Sequence, residues 1–265
     1  MNRLTLTLFL PLAAASTTHA QNADEMARQV ANPIARLTSV PVQFNDEYDA
    51  GVNGDGHRLR INVQPVIPIS IGAEWNLISR TIVPIIRQED MFPGTGSQSG
   101  IGDATQSLFF SPKALTTGGW TWGVGPVFLL PTASDDLLGS DRWGAGPTFV
   151  ALRQTSSGWT YGALTNHIAS FGGDEQRADI NATFLQPFVS KRIGPGRTVS
   201  MSVESTYDWE RHAWTAPVNI GISQILPIGK QLVSVQAGGA YYAEAPRGAP
   251  EWGARLTVTF LYPKR

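Results

Sequence analysis

The sequence predicts an all-β chain, closed into an antiparallel barrel of about twelve strands that spans a membrane. Three observations predict it: sparse charge at neutral hydropathy, side chains that alternate in character with a period of two, and aromatic residues gathered at the ends of the alternating segments.

Charged residues form 15% of the 265-residue chain, against about 25% in ordinary soluble domains. Mean hydropathy is nevertheless only −0.09. A soluble globule carries more charge and a helical membrane protein more apolar surface, whereas a barrel that is apolar outside and polar inside averages to neutral. A net charge of −1 leaves no electrostatic footprint for nucleic acid. Cysteine is absent, so the fold has no disulfide to rely on.

At the start of the chain, Arg3, the apolar run from Leu4 to Ala15 and a small-residue stretch ending at Ala20 match a cleavable export signal. The apolar run is about a dozen residues, short of the roughly 20 that a spanning helix requires. The expected organisation is therefore an export signal over 1–20, an N-terminal segment over 21–36 and a barrel over 37–265, in the outer membrane of a Gram-negative bacterium. In the N-terminal segment, Met26, Val30 and Ile34 recur every four residues, which suits a short amphipathic helix over 22–35, stopped near Pro33. Such a helix would plug the lumen or rest at its mouth, and a frayed terminus is the alternative.

From there the period changes to two. In 198–209, Val199, Met201, Val203, Tyr207 and Trp209 fall on one face, and Ser200, Ser202, Glu204, Thr206 and Asp208 on the other. In 252–262, Trp252, Ala254, Leu256, Val258, Phe260 and Tyr262 oppose Arg255, Thr257 and Thr259. Segments 214–222 and 59–71 alternate likewise. Turn signals place the strands at 37–48, 57–70, 72–87, 101–112, 120–132, 143–154, 158–171, 179–192, 197–209, 212–226, 231–243 and 251–262. Tight connections at 71–72, 155–157, 194–196 and 227–230 then alternate with longer ones, including 88–100 and 133–142. Short periplasmic turns and long external loops are the asymmetry of outer-membrane barrels, and an even strand count puts both chain ends in the periplasm. Trp75, Trp120, Trp143, Trp209, Trp214, Trp252 and Tyr262 sit at strand ends, where they would form interfacial girdles. Two features resist the pattern. Pro65, Pro126, Pro147, Pro187 and Pro217 fall inside the strands, where each removes a ladder donor. Segments 161–171 and 180–189 mix polar and apolar residues on both faces.

Several segments together carry a family likeness: Asn76 to Ile82 (NLISRTI), Gly102-Asp103 with Phe109 to Pro112 (FFSP), Trp122 to Pro126 (WGVGP) with Leu130 to Thr132 (LPT), Trp143 to Pro147 (WGAGP), Gln186 to Phe188 (QPF), Glu204 to Trp209 (ESTYDW) and Pro250 to Arg255 (PEWGAR). The chain resembles, from about Ala31 to Lys264, the bacterial outer-membrane proteins grouped as the "MetA-pathway of phenol degradation" family, labelled transporters and sometimes mislabelled neuromedin U. The resemblance implies a barrel and a role in passing organic compounds, with no catalytic residues. In one respect the chain departs from many outer-membrane barrels: it runs past Phe260 and Tyr262 to Pro263-Lys264-Arg265 instead of ending on an aromatic residue.

If the polar faces point inward, Arg60, Asn62, Gln64, Arg80, Glu204, Asp208, Asn219, Gln236 and Arg255 line the lumen, as a pore or binding channel for small, aromatic or hydrophobic solutes. The competing reading is a packed polar plug in which Glu204 and Asp208 pair with Arg60, Arg80 or Arg255. Catalysis is not expected. Barrel lipid hydrolases carry a His-x-Ser pair on one strand face, but the residue two after His167 is Ala169, and Ser170 falls on the opposite face. A lipid-modifying enzyme and a surface-recognition barrel remain the alternatives. His57 and His212 read as solvated loop-edge residues, and His19 leaves with the export signal. Acidic residues in the external loops (Asp46, Glu47, Asp49, Asp55; Asp135, Asp136, Asp141; Asp174, Glu175) read as a solvated rim with no metal site, the alternative being ligands for Ca²⁺ or for Mg²⁺ shared with lipopolysaccharide. The glycine-rich stretch 94–100 lacks the lysine and helix of a phosphate cradle, and Asn181 to Thr183 matches a glycosylation sequon inside a predicted strand. No cofactor is implied.

Overall fold

The computed structural model describes residues 13–229 and 231–263, in which one helix precedes twelve antiparallel strands closed into a barrel. After α1 (Ala13–Val30) come β1 (Thr38–Ala50), β2 (Gly56–Val63 and Val66–Ile71), β3 (Trp75–Glu89), β4 (Ser97–Ile101 and Ala104–Pro112), β5 (Trp120–Leu130) and β6 (Arg142–Gln154). Then follow β7 (Trp159–Gly173), β8 (Asn181–Gly194), β9 (Arg197–Val203 and Ser205–Asp208), β10 (Ala213–Thr215 and Pro217–Ile228), β11 (Gln231–Tyr242) and β12 (Trp252–Tyr262). Each strand bonds to its neighbour in sequence, and β12 bonds back to β1 from Tyr262 opposite Thr38 to Trp252 opposite Tyr48. The sheet thus has no edge, which is the condition for burying backbone amides in hydrocarbon.

The two-segment strands keep their course. Across the breaks in β2, β9 and β10 the register is unchanged, while Gly102 and Asp103 bulge β4 by one residue, so that Ile85 faces Ile101 but Ile82 faces Thr105. The in-strand prolines are accommodated in the same manner. Pro126 sits opposite Pro147 in the β5–β6 pair, and each turns its missing donor toward a gap on its other side: β4–β5 pairing skips from Val127 to Val124, and β6–β7 pairing skips from Ala145 to Thr148. The backbones crowd at those gaps. A Cβ on Gly125 would strike the carbonyl oxygen of Leu108, and one on Gly146 that of His167.

Connections at one end (72–74, 113–119, 155–158, 195–196 and 229–230) form the turn end, and those at the other (51–55, 90–96, 131–141, 174–180, 209–212 and 243–251) the loop end. The expected long connection 88–100 is shorter than the sequence suggested: β3 and β4 stay paired from Gln88 opposite Gln98, whose buried amides bond at 3.1 Å, leaving only 90–96 as loop. The long loop 131–141 folds down over the mouth, tied by Arg177 to the carbonyl oxygens of Asp136 and Gly139 and by Ser140 to Asp103 at 2.6 Å.

The helix is displaced from its expected span. It extends from Ala13 to Val30 and ends before Pro33, followed by a turn in which Ile34 N–H donates to Asn32 Oδ1 at 2.9 Å; a residue preceding proline is disfavoured from helical geometry. Of the expected export signal, residues 1–12 lie outside the described residues. The helix and the segment after it occupy the barrel at its turn end. Asp24 accepts from Gly196 N–H at 2.9 Å, Gln154 donates to the Arg28 carbonyl at 2.8 Å, and Arg36 donates to that of Lys113 at 2.5 Å. Met26, Ala27, Ala35 and Leu37 pack on Ile225 and Leu261, while Ile34, 3% exposed, enters a cluster of Val66, Ile78, Phe109, Val150, Leu152 and Leu164. Of the arrangements the sequence left open, the structure adopts the plug.

The outward faces carry Val199, Met201, Ile220, Ile222, Leu256 and Phe260, all exposed. The two segments with mixed faces are explained by their inward residues. On β7 and β8, Leu164, Ile168, Phe184 and Phe188 point into the barrel together with Asn166 and Gln186, while Thr165, His167 and Thr183 point out, so both faces mix polar and apolar residues and the usual alternation is lost.

Candidate functional site

The lumen is a chain of cavities rather than a solid plug. From the turn end, a space of ≈160 Å³ beside α1 shares Val30, Ser200, Gln236 and Thr259 with an inner chamber of ≈270 Å³. Beyond it lies an outer chamber of ≈400 Å³, which shares Ile180 and Ala182 with a ≈620 Å³ opening under the loops. Six residues border both chambers: Gln43, Gln64, Arg80, Gln186, Glu204 and Arg255. They mark the constriction.

Hydrogen bonds join these six side chains into a belt around the wall. Arg80 Nη2 on β3 donates to Gln64 Oε1 on β2 at 3.0 Å, and the amides of Gln64 and Gln43 meet at 3.0 Å. Asn45, next inward along β1, lies 2.9 Å from Gln43 and accepts from Arg255 Nε at 2.8 Å. Arg255 on β12 then grips Glu204 with both terminal nitrogens, at 2.8 and 3.0 Å, and Gln186 on β8 donates to the same carboxylate at 3.3 Å. The strand register makes this possible: Asn45 stands opposite both Arg60 and Arg255, so inward residues of β12, β1 and β2 rise in step. One level nearer the loop end, Glu47 is held by Arg58 at 2.7 Å, Arg60 at 2.5 Å and the Tyr242 hydroxyl at 3.0 Å. Away from the belt the outer chamber is lined mainly by apolar side chains, Val127, Leu129, Leu164, Ile168, Ile180 and Phe184, with Thr105, Ser107 and Asn166 among them.

The residues expected in the lumen occupy three levels. Arg60, Asn62, Gln64, Arg80, Glu204 and Arg255 border the outer chamber. Asn219 and Gln236 border the inner one, Gln236 donating to Ser200 at 2.8 Å and Asn219 leaving its buried Oδ1 unbonded. Asp208 lies by the outer opening, where its carboxylate accepts from the Glu210 and Arg211 amides, both at 2.9 Å, and so shapes the 209–212 turn. Of the pairings that a packed plug would require, Glu204 with Arg255 is present, Asp208 instead approaches Arg211 at 3.6 Å, and the chambers remain between them. Gln43 and Gln186 were not singled out as lumen residues from sequence, and Glu47, expected in a solvated rim, is instead 3% exposed on β1 and paired with Arg58 and Arg60. Gln43 was legible, because Pro41, Gln43 and Asn45 alternate with Val40, Val42 and Phe44; Gln186 stands where alternation fails.

All seven expected girdle aromatics lie at strand ends, Trp143, Trp209, Trp214 and Trp252 at the loop end and Trp75, Trp120 and Tyr262 at the turn end. Neighbours extend both rings: Tyr48 stacks on Trp252 at 4.5 Å, Tyr207 meets Trp209 and Trp214, Trp122 meets Trp75 edge-on at 6.0 Å, and Tyr161 meets Trp120 at 5.8 Å. His167 points outward and bonds Thr183 Oγ1 at 2.9 Å, while Ser170 bonds Asp179 at 3.1 Å from the other face, so His167 and Ser170 do not pair. His57 bonds Asp46 at 2.6 Å. Among the described residues, no group of three or more His, Cys, Asp or Glu side chains is placed to hold a metal ion.

The chain is similar in fold to an outer membrane channel from Pseudomonas putida F1, at 16% identity and a TM-score of 0.66, over 85% of this chain and 94% of the other. It is also similar to the NanC porin, at 8% identity and a TM-score of 0.51, over 86% of this chain and all (100%) of that one. No curated protein sequence matches it. The sequence profile of the family described as "MetA-pathway of phenol degradation" matches residues 61–196. A closed twelve-stranded barrel with a sequence match over half its length identifies the chain as a member of that phenol-degradation family.

Proposed function

We propose that this protein is a passive outer-membrane channel or binding barrel for small organic molecules that carry both an apolar body and a polar group. The observation that carries the proposal is the run of connected cavities, narrowed by the six-residue polar belt and lined away from it by a mainly apolar wall. A polar pore for ions and sugars needs no such wall, and a lumen serving only structure would have no chambers. The similar fold of the Pseudomonas putida channel supports the reading.

The placement follows from the surface. The exposed aliphatic band of the strands faces lipid, the two aromatic rings lie at its interfaces, and lipopolysaccharide surrounds the loop end. With twelve strands, β1 begins and β12 ends on the same side as the plug, which is the periplasmic side, in agreement with export from there. The plug then narrows the periplasmic exit, and the spaces of ≈160 and ≈270 Å³ beside it form the way past.

Reconstituted into planar bilayers, the purified protein is expected to show discrete conductance steps, and Arg255→Ala and Glu204→Ala to change their size, because both residues border the two chambers. A silent bilayer from correctly folded protein would overturn the channel and leave only a binding barrel; a silent bilayer with no solute bound would overturn the reading.

A further inference from the structure

Charge at the constriction is unbalanced. The ionised residues bordering the two chambers are Arg60, Arg80, Arg255 and Glu204. Glu204 is saturated by the two-pronged grip of Arg255 and by Gln186. The next carboxylate, Glu47, is shared between Arg58 and Arg60, so that the two glutamates are taken up by three arginines and Arg80 is the fourth. Arg80 is left with a neutral partner, Gln64 Oε1 at 3.0 Å, and among the described residues no carboxylate lies within 4.0 Å of its guanidinium. Arg60, bordering the same chamber, has a buried Nε with no acceptor. A planar fork of donors without an acid is the group that binds a carboxylate or phosphate in two-point fashion.

The surroundings narrow the choice further. The same chamber is lined on β5–β8 by Val127, Leu129, Leu164, Ile168 and Phe184, with Asn166 the polar residue among them. At ≈400 Å³ the chamber falls in the size range of small-molecule sites, roughly 300–1,000 Å³. We infer that the outer chamber is a binding subsite for a small amphipathic carboxylate, its anionic group held by Arg80 at the constriction and its aromatic or branched body laid on the β5–β8 wall. A neutral alcohol of the same shape would use the wall and leave Arg80 without an anion; acetate would use Arg80 and forfeit the wall. The inference rests on the proposed channel or binding function and adds to it the class of solute.

The test is calorimetric titration of the folded full-length barrel in detergent with benzoate, benzyl alcohol and acetate, alongside bilayer conductance of the same sample. Benzoate is expected to bind at least tenfold more tightly than either of the others. Arg80→Gln should bring benzoate down to the level of benzyl alcohol and leave benzyl alcohol unchanged, whereas Arg80→Lys should retain part of the preference. Ile168→Ser should weaken benzoate and benzyl alcohol alike and leave acetate unaffected. Heat-modifiable migration establishes that each variant is folded. Equal affinity for benzoate and benzyl alcohol, or benzoate binding that survives Arg80→Gln, would overturn the carboxylate subsite. If benzoate fails to bind while the protein still conducts, this inference falls and the channel stands; if nothing binds and the bilayer is silent, both fall.

Discussion

At the scale of single residues, the belt is built from groups that cannot be removed singly without leaving a partner stranded. Glu204 and Arg255 are both mostly shielded, with side chains 24% and 16% exposed. Deleting one leaves a shielded charge without its partner, which costs more than losing the pair together. Glu204→Ala and Arg255→Ala are each expected to destabilise the barrel by about 1–3 kcal/mol. The double variant should lose clearly less than their sum, as contacting pairs do; urea unfolding of the folded protein in lipid vesicles reads both. Additive losses would mean that the two side chains do not interact. Outside the belt, exposure is set by depth. Leu256 lies midway along β12 and faces outward, while Trp252 begins the strand in the loop-end ring. Leu256→Arg should cost about 2–4 kcal/mol and Trp252→Arg about 1 kcal/mol for its charge, the gradient of a charge on a lipid-facing surface.

At the scale of elements, the plug is the part most open to test. Its hold on the barrel is a few polar ties, the packing of Met26, Ala27, Ala35 and Leu37 on Ile225 and Leu261, and the insertion of Ile34 beneath the inner chamber. Ile34→Ala deletes most of a side chain that is 3% exposed, a change worth about 2–5 kcal/mol in a packed core. Because the strands are bonded to one another and not to this segment, the loss should fall on docking of the plug rather than on the barrel. We expect larger conductance steps and faster proteolysis within 22–37, with the remaining barrel still intact on a gel. Unchanged conductance would place the permeation barrier at the polar belt alone. The proline-bearing strands make a second test. Gly125 and Gly146 let β5 and β6 close in where Pro126 and Pro147 interrupt the ladders, and Gly146→Val would force the His167 carbonyl away. Folding yield should drop sharply for this variant, while Gly194→Val, where an added Cβ meets nothing within 4 Å, should fold normally.

At the scale of the whole molecule, stability comes from closure. The β1–β12 seam pairs eleven consecutive residues, from Thr38 to Tyr48, with the opposite end of the chain. Opening any one seam therefore exposes two rows of amides to lipid, and unfolding should be all-or-none. Unheated protein is expected to migrate faster than boiled protein on a denaturing gel and to resist protease outside the loops and plug. Identical migration before and after boiling would contradict a closed barrel.

The strand positions, their number and the inward or outward assignment of β1–β3 and β9–β12 were legible in the amino-acid sequence. There one face meets lipid and the other polar solvent, so Val199, Met201 and Leu256 alternate with Ser200, Ser202 and Arg255, and a local pattern carries the full information. The sequence likewise determined that Gln64, Arg80, Glu204 and Arg255 share one interior. Only the tertiary structure decided what they meet there. The apolar wall of β5–β8, the seat of Ile34 and the partner left to each arginine depend on residues brought together across the lumen from far apart in the chain. Where polar and apolar residues mix on both faces of a strand, as on β7 and β8, periodicity falls silent, and the three-dimensional closure of the sheet sets which side chains face each other.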